Sequence, residues 1–134
     1  MPIQLERSEN LIHHYKVPEG QVELINRDME KNSLPTSEEF RKAFHLVTVA
    51  RYLHRPHFPE IGSLMKPGGF LVFHTFMKGC EDTAVGRPRR PQFLLKANEL
   101  AEHFNPTTGF EIIADKVDYI HDGRPCSFFV ARKL

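Results

Sequence analysis

Cysteine is scarce in this chain: only Cys80 and Cys126 occur, far apart and in no Cys-x-x-Cys pattern, which argues against both a disulfide framework and a zinc ribbon. Net charge is nearly absent, since 18 basic and 17 acidic residues leave +1, so the balance calls for neither nucleic acid nor a membrane surface. No apolar run approaches the roughly 20 residues that cross a bilayer. Gln4, Glu6, Arg7, Ser8 and Glu9 stand where a signal peptide would have its apolar core. No internal repeat is visible, and no stretch is biased enough to read as disordered. No Gly-x-Gly occurs among the eight glycines. The expectation is a reduced, cytoplasmic, soluble protein that binds no metal.

What is present is core material. The 134 residues fit one domain able to bury about two-thirds of its unfolded surface. Forty per cent apolar residues and eleven phenylalanines supply the core. Leu5, Ser8, Leu11, Ile12 and Tyr15 recur at helical spacing, so residues 5–16 are expected as an amphipathic helix ending before Pro18. Residues 21–25 alternate polar and apolar, as a strand does, with 26–30 as the loop after it. Pro35-Thr36-Ser37-Glu38-Glu39 looks like a helix start, with Thr36 or Ser37 capping and the glutamates favouring the positive end of the dipole.

Residues 45–50 are almost continuously apolar, as in a strand buried on both faces of a parallel sheet. A helix is expected from about His57, with Phe58, Ile61, Leu64 and Met65 as its stripe. Lys66-Pro67-Gly68-Gly69 is a turn, because proline sets φ and a glycine supplies a positive one, and it launches a buried strand over 70–76. Residues 77–92 form a long loop, a length more often functional or mobile than inert. A short helix over 98–104 stops at Pro106. Strands over 110–119 and 127–133 flank His121-Asp122-Gly123-Arg124-Pro125, a hairpin signal. Alternation followed by a hairpin indicates an α/β sheet, mostly parallel, with an antiparallel strand at its end.

The run from Phe44 through Tyr52-Leu53-His54-Arg55-Pro56, followed by Lys66-Pro67-Gly68-Gly69 and 70–76, resembles the fourth and fifth strands of class I S-adenosylmethionine-dependent methyltransferases. The sequel from Gly86-Arg87-Pro88 to Leu95 is similar to the branch of that family with a Tyr-Leu-His-Arg-Pro segment after strand four. The resemblance runs from about Val22 to the C-terminus. It implies a Rossmann-like sheet with spatial strand order three-two-one-four-five-seven-six, and methyl transfer by direct displacement from the sulfonium of S-adenosylmethionine. It implies that Asp28 and Met29 contact the adenine, and that Ala50 and Arg51 line the cofactor side of the cleft. The family's glycine-rich cofactor turn and the acidic residue that ends strand two have no counterpart here. The chain therefore matches only the C-terminal two-thirds of the domain, as an incomplete domain or as one part of a complex that restores the pocket. His74 stands where the close branch carries glutamate, which removes a carboxylate from any acid–base role.

Read on their own chemistry, several side chains keep two meanings. Tyr52 either orients a nucleophile through its hydroxyl or packs under the next helix. Arg51 either holds an anionic group bidentately or pairs with a nearby acid. His54 is a general-base candidate by its ordinary pKa near 6.5, or it is structural. His54-x-x-His57 lacks cysteine, and Pro56 interrupts the helix that would align a metal pair. Arg87, Arg89 and Arg90 either bind an anionic substrate from a mobile lid or are solvated.

The leading function is a methyltransferase-like protein of unassigned acceptor, inactive alone for want of the cofactor turn. The alternatives are a non-catalytic binding or scaffold domain and a nucleotide-binding protein of the same architecture. The missing strands would leave an apolar edge. Either the 22–25 strand moves inward against residues 46–50, or a homodimer pairs across that edge.

Overall fold

The structure, a computed structural model, describes residues 2–35 and 38–134. The chain separates into two compact units, Met1–Ser33 and Leu34–Leu134. In the first unit, helix α1 (Pro2–His14) has a C-terminus built by main-chain bonds. Lys16 N–H donates to His13 O at 3.2 Å and Val17 N–H to Ile12 O at 3.0 Å. Lys16 adopts φ +53°, the left-handed residue that such a stop requires, and Pro18 follows.

Residues 22–28 form no strand. Alternation makes a segment able to pair, but a strand exists only in a ladder, and this segment belongs to none of the described ladders. Val22 and Ile25 are exposed as a result. The expected inward move of this segment against 46–50 is therefore not found. The helix start at 35–39 is not found either: residues 38–42 are turns, closed by Arg41 N–H to Glu38 O at 3.3 Å. The capping candidates Thr36 and Ser37 lie outside the described residues.

The second unit is an α/β layer around strands β1 (Phe44–Ala50), β2 (Met65–His74), β3 (Phe110–Tyr119) and β4 (Pro125–Lys133), with helices α2 (Phe58–Leu64) and α3 (Glu99–His103) between them. The sheet order is β1-β2-β4-β3. β1 and β2 are parallel and the other pairings antiparallel. With the 21–25 segment outside the sheet, the parallel part is this single pair.

The Lys-Pro-Gly-Gly turn sits inside β2 as a bulge. Phe44 faces Met65 but Leu46 already faces Phe70, so a step of two residues on β1 spans five on β2. Gly68 takes φ +84°. Gly69 is required by space, because a Cβ there would lie 3.0 Å from the carbonyl oxygens of His45 and Lys66.

Alternation in β2 and β4 sends Leu71, Phe73, Phe129 and Ala131 into the core, where α2 and α3 cover them. Phe58 meets Phe73 edge-on with centroids 5.6 Å apart, and Phe104 meets Phe110 in the same way at 5.2 Å, the geometry that ring quadrupoles favour. β1 is not buried on both faces as expected. Only Val47 and Val49 pack against the core, while Leu46 is 55% exposed, because β1 is the edge of the sheet among the described strands.

Gly69→Ala should lower the unfolding free energy by about 1–3 kcal/mol, since main-chain oxygens cannot move aside as a flexible side chain can. Gly62→Ala, whose Cβ would meet Phe110 at an ordinary 3.6 Å, should be neutral or stabilising by about 0.5–1 kcal/mol. Urea unfolding of the two variants checks the contrast.

Candidate functional site

Parallel pairing places the carboxyl ends of β1 and β2 side by side, and open α/β sheets collect ligands at such ends. Arg51 leaves β1 with φ +51°, and its N–H donates to His74 O at 2.7 Å. Its guanidinium carbon lies 5.6 Å from the Phe76 ring centre. Arg124, from the β3–β4 turn, approaches the same ring at 4.4 Å. Both fall within cation–π range. Arg51 belongs to none of the ion pairs among the described residues.

Arg124 is bound more firmly. Its Nη2 lies 2.9 Å from Asp122 Oδ2, its Nε donates to both carboxylate oxygens of Asp122, and its Nη1 donates to Arg87 O at 3.2 Å. The bond from Arg124 holds the Asp122 carboxyl below its usual range. His74 Nδ1 lies 2.7 Å from Ser127 O. A carbonyl only accepts, so Nδ1 carries the proton and Nε2 is the acceptor of the neutral ring.

A second arginine closes the loop after β2. Arg55 pairs with Glu99 through Nε–Oε2 and through Nη2 to Oε1 at 2.9 Å. It also donates to Leu94 O at 2.9 Å and Gln92 O at 3.3 Å. Glu99 is only 7% exposed, and Lys96 N–H adds a third bond to Oε1 at 3.0 Å. The Arg55 bond holds the Glu99 carboxyl below its usual range against the opposing effect of burial.

The other candidates divide as follows. Tyr52 is half-buried, with its hydroxyl oxygen shielded from solvent. The His54 ring packs on that of His57 at 4.6 Å, and His57 Nδ1 faces Glu60 Oε2 at 3.2 Å. No three His, Cys, Asp or Glu side chains converge as a metal set among the described residues. Arg87, Arg89 and Arg90 are exposed on residues 77–92. The first half of that loop is pinned by buried Cys80, whose Sγ–H donates to Pro125 O at 3.4 Å, and by Thr83 Oγ1–H to Cys80 O at 2.6 Å. Burial pushes the thiols of both Cys80 and Cys126 up, away from the nucleophilic thiolate.

Asp28 and Met29 belong to the first unit. Asp28 Oδ1 accepts from Glu30 N–H at 3.1 Å and Lys31 N–H at 3.2 Å, closing its own turn. Arg55, Glu99, Asp122 and Arg124 carry the site's rigid contacts and escaped sequence reasoning. Only the Arg in Tyr-Leu-His-Arg-Pro and the Asp-Gly hairpin marked their neighbourhood.

Glu99→Gln should cost about 1–3 kcal/mol at neutral pH, because Arg55 loses its charged acceptor. The folded-state pKa of Glu99 lies below the unfolded value of about 4.3. The pair's contribution is therefore complete above that value and is lost as pH falls through the folded pKa. Urea unfolding followed from pH 7 downward should show the wild type and the variant converging in acid.

The sequence matches no protein-family model and no curated protein. Solved structures do match. The cyclase SpnF aligns over 98% of this chain and 62% of its own, with TM-score 0.70 and 17% identity. A SAM-dependent methyltransferase from Methanosarcina mazei aligns over 74% of this chain and 64% of its own, with TM-score 0.54 and 17% identity. TehB from Haemophilus influenzae aligns over 94% of this chain and 45% of its own, with TM-score 0.61 and 15% identity. The chain thus spans less than two-thirds of each of these relatives. It has the methyltransferase-like Rossmann fold, with the sheet order β1-β2-β4-β3.

Proposed function

We propose that this chain forms the acceptor side of an S-adenosylmethionine-dependent methyltransferase-like site. The observation that carries the reading is the meeting of Arg51, Phe76 and Arg124 at the carboxyl ends of the parallel pair, the pole where such sheets bind ligands. In this reading, Arg51 and the exposed Arg87, Arg89 and Arg90 hold an anionic part of the acceptor. Tyr52 and His54 position it, and Ala50 and Arg51 face the cofactor.

The residues present do not fit the whole cofactor. Among the described residues no glycine turn follows a parallel strand at its carboxyl end. Arg51, with a full side chain at positive φ, follows β1, and Thr75 and Phe76 follow β2. Asp28 Oδ1 is already engaged by two main-chain donors. The rest of the pocket is assigned to groups outside these 134 residues. In this reading, what this chain does by itself is orient an acceptor and hold the loop. The same misfit favours the second reading, a non-catalytic scaffold domain.

Titration with S-adenosylhomocysteine separates the readings. A half-site should give weak, localised amide shifts at Ala50 and Arg51, with Kd about 1 mM. No response there would leave the scaffold. Micromolar heat in calorimetry would mean a complete pocket and overturn the half-site.

We also propose a homodimer through the outer edge of β1, supported by exposed Phe44 and Leu46 on a strand that pairs only with β2 among the described strands. Light scattering should report twice the 15.5 kDa chain mass, and Leu46→Lys should return the monomer. A wild-type monomer at high micromolar concentration would remove the proposal.

A further inference from the structure

A cavity of about 490 Å³ opens at the other pole of the second unit, near the amino end of β1 and the carboxyl end of β4. Its apolar wall is made by Phe58, Phe104 and Phe110, each buried in the core. Its rim carries Arg41, Lys42 and Lys133. The fold fixes the main chain that carries Lys42 and packs Lys133 on the wall. Lys42 takes φ +49°, and its N–H donates to Ser63 O at 2.8 Å, tying the segment before β1 to the end of α2. Lys133 faces Phe110 across the β3–β4 ladder, and its Nζ lies 5.1 Å from that ring centre.

The charges lining the cavity are not self-compensated. None of the ion pairs among the described residues includes Arg41, Lys42 or Lys133. The cavity has one carboxylate, Glu102, and one imidazole, His103. The His103 ring is edge-on to Phe58 with centroids 4.9 Å apart. The hydroxyls are already committed: Ser63 Oγ donates to Glu60 O at 2.6 Å, and Thr108 Oγ1 donates to His103 O at 2.8 Å. The unspent recognition groups are therefore cations above an aromatic wall.

We propose that this cavity binds a small organic anion: a carboxylate or phosphate monoester on a flat apolar body. The cations take the anionic head through charge-assisted hydrogen bonds, and the phenylalanine edges take the ring. The volume falls in the range of small-molecule sites and exceeds the needs of an inorganic ion. Gly62 lies on the wall beside these groups, since a Cβ there would stand 3.6 Å from Phe110 and 3.7 Å from Lys133 Nζ. The site is separate from the arginine–phenylalanine pole and does not depend on the methyltransferase reading.

The probe is phenyl phosphate, titrated into the whole chain and followed by amide NMR, with inorganic phosphate and phenol as its two halves. Saturable shifts should centre on Gly62, Ser63, Thr108 and Lys133. Each half alone should bind at least about tenfold more weakly. Arg41→Gln with Lys42→Gln should lower the affinity about tenfold without moving the thermal midpoint, because both side chains are exposed. The proposal is overturned by an absence of shifts at these residues. It is equally overturned if phosphate alone matches phenyl phosphate, which would reveal only a screened basic surface.

Discussion

Glu99 is the constraint on which the carboxyl-end pole of this sheet depends. A carboxylate at 7% exposure among Leu94, Leu95 and Leu100 loses its hydration, and only a fixed cation with matching geometry offsets that loss. Arg55 supplies the match. One edge of its guanidinium meets the carboxylate, and the remaining donors reach the carbonyls of Gln92 and Leu94. A lysine, with a compact charge and no fork, could not span these acceptors. The pair therefore ties the segment after β1 to the exit of the loop after β2. Both elements follow the parallel strands in the chain, so one ion pair fixes the segment after β1 to the loop after β2.

Arg124 does for the middle of that loop what Arg55 does for its end. It rests on Phe76, is held by Asp122, and donates to Arg87 O. The arginines at this pole thus fall into two groups. Arg55 and Arg124 are spent on main-chain carbonyls and acids, and their positions are over-determined. Arg51, Arg87, Arg89 and Arg90 keep exposed guanidiniums. A ligand that orders these four would lose their side-chain entropy, but it would find a scaffold already rigid beneath them.

This division explains what could be read in advance. The α/β class, β2, the short helices and the hairpin were legible, because their signals are local: apolar alternation, Pro-Gly-Gly, Asp-Gly, and Pro106 as a stop. The segment at 21–25 was misread because alternation reports only the capacity to pair, whereas a strand exists only where a neighbour does. The burial of β1 was misread for the same reason, since an apolar run does not reveal what covers it. In the site, sequence reasoning favoured the arginine cluster at 87–90 and missed Arg55 and Arg124. Nothing local separates an arginine that grips carbonyls 37 or 39 residues away from one that faces water.

The edge of β1 joins the question of assembly to the question of chemistry. A parallel strand added there would lie about 4.8 Å from β1 and would set its own carboxyl end beside Ala50 and Arg51. Covering the edge and completing the carboxyl-end pole would then be one event. Two copies paired through β1 about a two-fold axis do something different. That pairing is antiparallel, so the partner's strand start, not its strand end, arrives next to Ala50. Such a dimer would satisfy the open main-chain groups yet bring no strand carboxyl end beside Ala50. In the proposed dimer, self-association and completion of the proposed site would compete for the same row of N–H and C=O groups, and a partner supplying a parallel strand would have to displace the second copy.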